Sequence, residues 1–428
     1  MVFELKQVQG TMLEDLVAAL SSALDVTGSG LAGHHRRMSY LSVRLGMALR
    51  LPASRLRRVL LAASLHDVGA ILPPQAPGDP PGAAGRDAWA RRGAEFLRAS
   101  EALGQIADIV EHHQRPFRGG QEDGPLESRI VAIADAVDRR MRPGVPILAQ
   151  RAPIERALAE AAGPELDPDL VAAFRELSSA EGFWLDLVSE DLDAAIAELT
   201  AEWVHHPMGT GTMIEVGRIF ANLIDHRSAF TARHSVCVAE VAPALAAAVG
   251  MAADDLQDIT LAALLHDLGK LAVPSELLER AGPLTPEEVL VLRQHPYQTG
   301  RILGRIRGFE RIRRWAAQHH ERVDGNGYPY RVEGRRLSLG ARVLAVADVF
   351  TALTEERPYR RGMNAADTAR LLRAMEADGA LCPEVVTVAL RRLDDLLTIT
   401  RRAGYGPFAA PHLAAGRPAA AAKELDPS

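Results

Sequence analysis

Histidine and aspartate residues recur in the C-terminal half of the chain at spacings that suit metal binding. The clearest element is the segment Leu264–Lys270, in which an adjacent His-Asp pair ends an apolar stretch and a lysine follows three residues after the aspartate. Imidazoles and carboxylates are the ligands that divalent iron, manganese, zinc and nickel accept in proteins. The candidate metal ligands are His234, His266, Asp267, His295, His319, His320 and Asp348.

This set of ligands is too large for one ion and suits two. Asp267 has two carboxylate oxygens, so it is the predicted bridge between ions about 3.5–4 Å apart. Water held between two cations loses a proton near neutral pH and becomes a nucleophile suited to attack on phosphorus. Lys270 would lie on the same helical face as Asp267, where its ammonium group could contact a phosphate oxygen or the attacking water. We therefore predict catalytic roles for Asp267 and Lys270.

Residues that suit recognition of a nucleotide follow the paired histidines. An Asp-Gly-Asn-Gly sequence ending at Gly327 is typical of a tight turn, and Pro329 restricts the backbone next to Tyr328. A rigid loop of this kind would present the tyrosine ring to a base or a sugar. Further on, Arg357 and Arg360 carry guanidinium groups, which suit bidentate contacts with phosphate. Taken alone, the tyrosine would be interpreted as core packing and the two arginines as solvated surface.

The chain contains an internal repeat. His34 to His66 spans 32 residues, and so does His234 to His266. Further matched segments follow in the same order in both halves: 89–97 with 295–303, 111–115 with 318–322, 129–135 with 342–348, and 166–171 with 381–386. Because a repeat of this kind indicates repeated structural units, we infer two copies of one domain.

The first copy lacks part of the chemistry of the second. Ala70 stands at the position of Lys270, and Trp89 stands at the position of His295. A paired-metal mechanism would fail without these groups, so we expect a structural or regulatory domain, with binding of a single metal left open. The possible vestigial metal site comprises His34, His66, Asp67, His112, His113 and Asp135.

Composition and periodicity limit the fold class and the partners. Apolar residues recur at i, i+3 and i+4 through Ala-, Leu- and Arg-rich segments, which predicts a mainly α protein. The net charge of -6 argues against binding to nucleic-acid polymers or to an anionic membrane surface. Two cysteines far apart in sequence, the absence of a signal-peptide pattern and the lack of a long apolar run lead us to expect a cytoplasmic protein without membrane association.

Changes in composition suggest domain boundaries. We expect the first domain over residues 1–180, amphipathic connecting helices over 181–216 and the second, catalytic domain over 217–397. Residues 398–428 are rich in alanine, glycine and proline, which is typical of a disordered tail.

The motifs of the second copy closely resemble those of the HD-GYP family, a branch of the HD-domain metal-dependent phosphohydrolases. The resemblance covers about residues 233–393 of this chain. It rests on His-Asp-Leu-Gly-Lys (266–270), His-Pro (295–296), His-His-Glu-Arg-x-Asp-Gly-x-Gly-Tyr-Pro (319–329), Val-Ala-Asp-Val-Phe (346–350) and Arg-Pro-Tyr-Arg (357–360). It implies two tandem HD-type helical bundles, the first a degenerate HD domain that acts as a sensor or a dimerisation module.

The resemblance also implies an activity and a distribution of ligands. The implied reaction is hydrolysis of cyclic di-GMP to the linear dinucleotide pGpG or on to GMP, with iron or manganese as the metals. One ion would be held by His234, His266, Asp267 and Asp348, and the other by Asp267, His295, His319 and His320. The residues implied to contact the substrate or the attacking water are Lys270, Tyr328, Arg357 and Arg360, with Tyr328 set in the Gly327–Pro329 loop.

The chain departs from the family pattern at two positions. Family members that hold a third metal have a glutamate four residues before the first histidine, whereas this chain has Phe230, so we expect two divalent ions. The frequent Asp-Val-Phe-Asp motif ends here at Thr351, and the sequence does not determine the effect of this change.

Other functions remain open from the sequence. One is a phosphodiesterase for another cyclic dinucleotide or nucleotide. A second is a non-catalytic signalling module that binds a dinucleotide or a partner protein, and the first domain also suits a role in forming a homodimer. A redox di-iron oxygenase on the same scaffold is a more remote alternative.

Overall fold

The computed structural model describes most of the chain as two separate helical units. The described residues are 12–27, 33–72, 85–119, 124–203, 207–226, 233–278, 280, 282–356 and 361–403. The first unit extends to Met208 and the second begins at Gly209. Within these ranges there is no β-strand, only an isolated bridge between Ala162 and Leu166. The predicted mainly α fold with two tandem helical bundles is therefore confirmed.

The first unit is built from twelve described helices. They are α1 Leu13–Thr27, α2 His34–Ala48, α3 Ala53–Leu65, α4 Val68–Ile71, α5 Arg86–Arg98, α6 Glu101–Gly104, α7 Ala107–His112, α8 Leu126–Asp138, α9 Ile147–Ala161, α10 Pro168–Leu177, α11 Glu181–Leu187 and α12 Leu192–Thr200. Helix α2 packs on α3 and α8, and this arrangement forms the centre of the unit.

The second unit repeats this arrangement. Its helices are α13 Thr210–His226, α14 His234–Ala248, α15 Ala253–Leu265, the 3-10 helix Leu268–Ala272, α16 Ser275–Leu278, α17 Pro286–Leu292, α18 His295–Leu303, α19 Glu310–Ala317, α20 Leu339–Thr354, α21 Ala365–Ala377, α22 Pro383–Arg391 and α23 Leu393–Ala403. The bounds of α14 and α15 equal those of α2 and α3 shifted by 200 residues, and α14 packs on α15 and α20. None of the described helices combines the length and the apolar character that crossing a bilayer requires.

The expected connecting segment 181–216 is shared between the two units. Helix α11 belongs to the first unit, where the Trp184 ring lies edge-on against Phe174 and Phe183. Helix α13 belongs to the second unit, where Gly217 lies against the Leu264 side chain. The segment expected as a disordered tail begins inside α23, and residues 404–428 lie outside the described part of the chain.

A close backbone contact fixes the turn that follows the His-Asp pair. A Cβ atom on Gly269 would overlap the carbonyl group of His295, so only glycine allows the 3-10 helix to lie against the start of α18. The Gly269 amide donates a hydrogen bond of 2.8 Å to Thr299 Oγ1, and the Thr299 hydroxyl donates one of 2.8 Å to the His266 carbonyl. These contacts hold the His-Asp pair next to the N-terminus of α18.

We expect the substitution Gly269→Ala to destabilise the second unit. The added methyl group meets backbone atoms rather than a movable side chain, so relief of the overlap should cost about 1–3 kcal/mol. Differential scanning calorimetry of the full chain should show a melting temperature lower by several degrees. Gly211→Ala is the matched control, since a Cβ there meets nothing within 4 Å. Equal melting temperatures for the two variants would contradict the packing role of Gly269.

Candidate metal centre

The first cluster of donors in the second unit lies where three helices meet. His234 begins α14, His266 directly follows α15, and Asp348 lies in the middle of α20. His234 Nε2 is 2.8 Å from Asp348 Oδ1, and His266 Nε2 is 3.9 Å from the same oxygen. All three side chains are buried, and their donor atoms lie within 4.8 Å of one another. The cluster therefore has the size and composition of a site for one metal ion.

The second cluster is made of histidines from the other side of the unit. His295 begins α18, and His319 and His320 follow the end of α19. His295 Nε2 is 3.3 Å from His319 Nε2, and the three rings offer donor atoms within 4.8 Å of one another. Here, too, the donors suit one ion.

Asp267 lies between the two clusters. Its Oδ2 atom is 3.3 Å from His266 Nε2, while its Oδ1 atom is 3.3 Å from His295 Nε2 and 4.0 Å from His319 Nε2. One carboxylate therefore directs one oxygen toward each cluster. This is the geometry expected of the bridging ligand in a two-metal site.

The outer nitrogen of several ligand rings is held by the backbone. Nδ1 of His266, His295 and His319 lies 2.7–2.8 Å from the carbonyl oxygen three residues earlier in each case. In such a bond Nδ1 carries the proton and donates it to the carbonyl, so Nε2 presents its lone pair to the centre. Metal-binding histidines are oriented in this way.

The protonation states that the environment favours differ between the two clusters. Burial lowers the pKa of His295 to about 3 and that of His320 to about 4, so these rings are neutral at physiological pH. Burial by itself would raise the pKa of Asp267, but Lys270 and His266 hold it well below its usual value. In the first cluster burial opposes the charged form of His234, but hydrogen bonds to Asp348 and Glu355 raise its pKa to about 10. This ring would therefore exchange its proton for a metal ion on binding.

Lys270 is positioned by the bridging carboxylate. Its Nζ atom donates a hydrogen bond of 2.6 Å to Asp267 Oδ2, and the side chain is 22% exposed. Burial opposes the charged form, but the neighbouring Asp267 raises the pKa of the lysine above its usual value. Lys270 is therefore a cation beside the metal centre, and part of its side chain is open to solvent.

The loop after the paired histidines brings Tyr328 to the same centre. The Tyr328 amide donates to the His320 carbonyl over 3.2 Å, and the two rings lie 4.9 Å apart with an interplanar angle of 30°. The loop lies so close to the backbone of Glu321 that any side chain at Gly327 would overlap it. The buried Glu321 carboxylate accepts hydrogen bonds of 2.7 and 2.9 Å from the amides of Tyr330 and Val332, which fixes the loop beyond Pro329.

Arg293 also lies at this site, although no sequence motif identified it. The Arg293 guanidinium lies 4.3 Å from the centre of the Tyr328 ring, at the end of α17. It belongs to no recognisable motif, and its proximity depends on the fold of α17 and α18. The expected phosphate-binding residues Arg357 and Arg360, like Phe230, lie outside the described residues.

A second missed residue orients the first ligand. The His234 ring directs Nδ1 at Glu355 Oε2 over 3.3 Å. In the first unit the equivalent ring, His34, has Nδ1 2.6 Å from Asp138 Oδ2. Asp138 corresponds by position to Thr351, whose buried hydroxyl has no hydrogen-bond partner among the described residues. Glu355, one helical turn later, therefore supplies the carboxylate that Thr351 lacks.

The structure corrects one pairing between the two copies. His113, not His112, corresponds to His319, because each has Nδ1 bonded to the carbonyl three residues earlier and its ring edge-on to the histidine of the His-Asp pair. Gln114 then stands at the position of His320. His112 lies apart, with Nδ1 2.8 Å from the Asp108 carbonyl.

The remaining vestigial candidates divide into two groups. His34, His66 and Asp67 come together, since His34 Nε2 is 3.2 Å from His66 Nε2 and 3.7 Å from Asp67 Oδ2. Asp135 instead pairs with Arg139 and accepts a hydrogen bond of 2.8 Å from Gln114 Nε2. Its carboxylate is therefore engaged by protein donors.

Comparison with known proteins gives the same division into domains. Two family models, each described as an HD domain, match residues 31–140 and 218–385. In solved structures, a cyclic GMP-AMP-specific phosphodiesterase of Vibrio cholerae, V-cGAP3, aligns with a TM-score of 0.62 over 90% of this chain and 98% of that chain, at 23% sequence identity. This likeness concerns the fold.

Three curated relatives show the range of similarity. The 3'3'-cGAMP-specific phosphodiesterase 1 of Vibrio cholerae is 27% identical over 87% of this chain and 90% of its own length. The 3'3'-cGAMP-specific phosphodiesterase 3 of the same organism is 34% identical over 64% of this chain and 60% of its own length. The cyclic di-GMP phosphodiesterase PA4108 of Pseudomonas aeruginosa is 33% identical over 50% of this chain and 49% of its own length.

We expect Glu355→Ala to weaken metal retention by the second unit. Loss of an outer carboxylate that orients a ligand histidine typically lowers metal affinity about 10–100-fold. Competition with a chelator, read by elemental analysis of the full chain, should show this loss, whereas the exposed neighbouring variant Glu356→Ala should behave as wild type. Adding Thr351→Asp to Glu355→Ala should restore affinity, since Asp138 serves His34 from that position. Failure of Glu355→Ala to change affinity would contradict the orienting role.

Proposed function

We propose that this chain, a member of the HD-GYP family of HD-domain proteins, is a phosphodiesterase of cyclic dinucleotides whose chemistry takes place in its second unit. The observation that carries the proposal is the position of Asp267, which directs one oxygen toward each of two donor clusters. This arrangement suits hydrolysis of a phosphodiester better than binding alone, since a pure binding module has no need for a bridging carboxylate.

The donor set would hold two divalent cations, one at His234, His266 and Asp348 and one at His295, His319 and His320, with Asp267 shared. Such ions, iron or manganese by resemblance to the family, would polarise a phosphoryl oxygen and make a water molecule nucleophilic at neutral pH. The buried imidazoles and carboxylates fix the ligand positions before the substrate arrives, so little reorganisation is required during the reaction.

Lys270 has an electrostatic role in this proposal. The neighbouring Asp267 carboxylate raises the pKa of Lys270, which favours the charged ammonium form. Its ammonium group has three N–H donors, of which one is directed at Asp267 Oδ2. The others are available to a non-bridging phosphate oxygen, where they would stabilise the charge that develops during attack on phosphorus.

Tyr328 and Arg293 would form the side of the site that receives the nucleotide. The phenol ring lies beside His320, and its pKa is raised by burial, so the hydroxyl stays neutral. The Arg293 guanidinium on the ring adds a cation next to an aromatic surface. A base that stacks on this surface and a phosphate that contacts the guanidinium are the complementary groups of a nucleotide.

Cyclic di-GMP is the proposed substrate, and pGpG or GMP the product. It is supported by the motif set of the second unit and by the cyclic di-GMP phosphodiesterase among its relatives. A second candidate is 3'3'-cyclic GMP-AMP, which is favoured by a relative that spans both units and is named for that substrate. The two differ in one base, so the surface near Tyr328 would decide between them.

We expect Asp267→Asn to abolish hydrolysis and metal binding together. The amide keeps the shape of the carboxylate but loses the charge that two cations require, so activity should fall at least about 10³-fold. Turnover of cyclic di-GMP, 3'3'-cyclic GMP-AMP and cyclic di-AMP should be followed by chromatography in parallel with metal content. Asp254→Asn, an exposed change on α15, is the control. Metal-loaded wild type that leaves all three compounds intact would contradict the proposed activity.

We expect Arg293→Ala to weaken substrate binding more than turnover. Removing a cation that contacts a phosphate outside the reacting bond should raise KM about tenfold while kcat stays nearly constant. Arg314→Ala, an exposed arginine of α19, is the matched control and should leave both constants unchanged. An unaltered KM in Arg293→Ala would exclude contact between this guanidinium and the substrate.

A further inference from the structure

The first unit contains a buried histidine that the repeat does not predict. His35 stands at the position of Ser235, directly after the first ligand position of each copy. In the second unit the Ser235 amide and hydroxyl donate to the two oxygens of Asp225 over 2.9 and 2.8 Å. In the first unit the His35 amide and Nδ1 donate to Asp25 Oδ1 over 2.8 and 2.9 Å. The aspartate is therefore retained in both units, but in the first unit its side-chain donor is an imidazole instead of a hydroxyl.

The second nitrogen of His35 has no partner among the described residues. The whole residue is 7% exposed, and its Nε2 atom is buried without a hydrogen bond. A buried polar atom without a partner is unfavourable, so its retention calls for an explanation. Because Nδ1 donates its proton to Asp25, Nε2 carries a free lone pair. Ring nitrogens of His34, His35 and His66 lie within 4.8 Å of one another.

The neighbouring donors are spaced as ligands of one ion. His34 Nε2 is 3.2 Å from His66 Nε2, and Asp67 Oδ2 is 3.3 Å from the latter and 3.7 Å from the former. Ligand atoms that each lie about 2.0–2.2 Å from a common metal are about 3–3.5 Å apart. The three atoms therefore surround a point that a single ion would occupy.

All three rings are oriented from outside. Nδ1 of His34 lies 2.6 Å from Asp138 Oδ2, and Nδ1 of His66 lies 2.9 Å from the Ala63 carbonyl. Nδ1 of His35 is held by Asp25. Carboxylate and carbonyl acceptors on the outer nitrogen, with Nε2 turned inward, are the usual support of histidine ligands.

The donors of the second metal position have been lost or engaged elsewhere. Trp89 replaces the histidine that begins α18 in the other unit, as the contact of its carbonyl with Gly69 shows. Gln114 donates to His113 Nε2 over 2.8 Å and to Asp135 Oδ2 over 2.8 Å. Asp135, the counterpart of Asp348, is therefore engaged by protein donors, so a metal at the first position would need another ligand. The His35 ring is 5.0 Å from that of His34 and 5.5 Å from that of His66.

We propose that the first unit binds one divalent transition-metal ion through His34, His35, His66 and Asp67. Three imidazoles and one carboxylate suit zinc, cobalt, nickel or iron(II) better than magnesium or calcium. Ala70 leaves Asp67 without a lysine partner, and the aspartate side chain is 39% exposed, so the ion can enter from solvent. The ion would link the start of α2 to the end of α3 and would stabilise the first unit.

The test uses the full chain with its other metal positions removed. In the triple variant Asp267→Ala, Asp348→Ala and His319→Ala, each donor cluster of the second unit keeps only two histidines. Reconstitution of this protein with Co²⁺ followed by desalting should leave one ion per chain by elemental analysis, with visible absorption bands of a nitrogen-rich site. The further change His35→Ser, which restores the residue of the second unit, should weaken Co²⁺ binding about 10–100-fold. His112→Ser is the matched control, since this histidine of the same unit lies apart from the cluster, and it should retain the ion.

A stability measurement separates loss of metal from loss of fold. Co²⁺ should raise the melting temperature of the triple-variant background and of the His112→Ser protein. The rise should be clearly smaller for the His35→Ser protein, although its far-ultraviolet circular dichroism is native. No retained Co²⁺ in the background would overturn the proposal. Equal retention with and without His35 would overturn the assignment of His35 as a ligand.

Discussion

The second unit is organised around a buried negative charge. Asp267 is 2% exposed, and an ionised carboxylate at such a position is unfavourable unless cations or donors surround it. Lys270 supplies one cation. The imidazoles on either side of the carboxylate form clusters of donor atoms, and metal ions bound there would supply the remaining positive charge. Five helical segments therefore have to end or pass at one point. Most of the ligands stand at helix ends, where the backbone can turn a side chain toward a common centre.

Backbone packing alone requires the glycine of the His-Asp motif, whether or not the unit has the catalytic residues. Gly269 lies against the carbonyl of His295, and Gly69 lies in the same way against the carbonyl of Trp89. The glycine is present in both units, although the first has neither the lysine nor the histidine that begins α18. The glycine of the His-Asp motif is thus required for the turn to pack on the next helix, and by itself it does not indicate an active site.

The two units show how one scaffold accepts different donors. In the second unit the orienting carboxylate of His234 has moved one helical turn, from the position of Thr351 to Glu355. In the first unit Gln114 and Arg139 satisfy Asp135, whereas His35 gains a free nitrogen beside the remaining ligands. Such exchanges are possible because a metal site requires only that donor atoms reach the right point, whichever element carries them.

The sequence by itself determined the helical class, the repeat, the family and the two clusters of candidate ligands, because these depend on residue type and on spacing along single helices. It could not distinguish His112 from His113 as the counterpart of His319, since adjacent histidines differ only in which side of the helix end they occupy. Glu355, Arg293 and His35 were also missed. Each acquires its role from a contact with a residue that is distant in sequence or from burial, and the fold alone decides both.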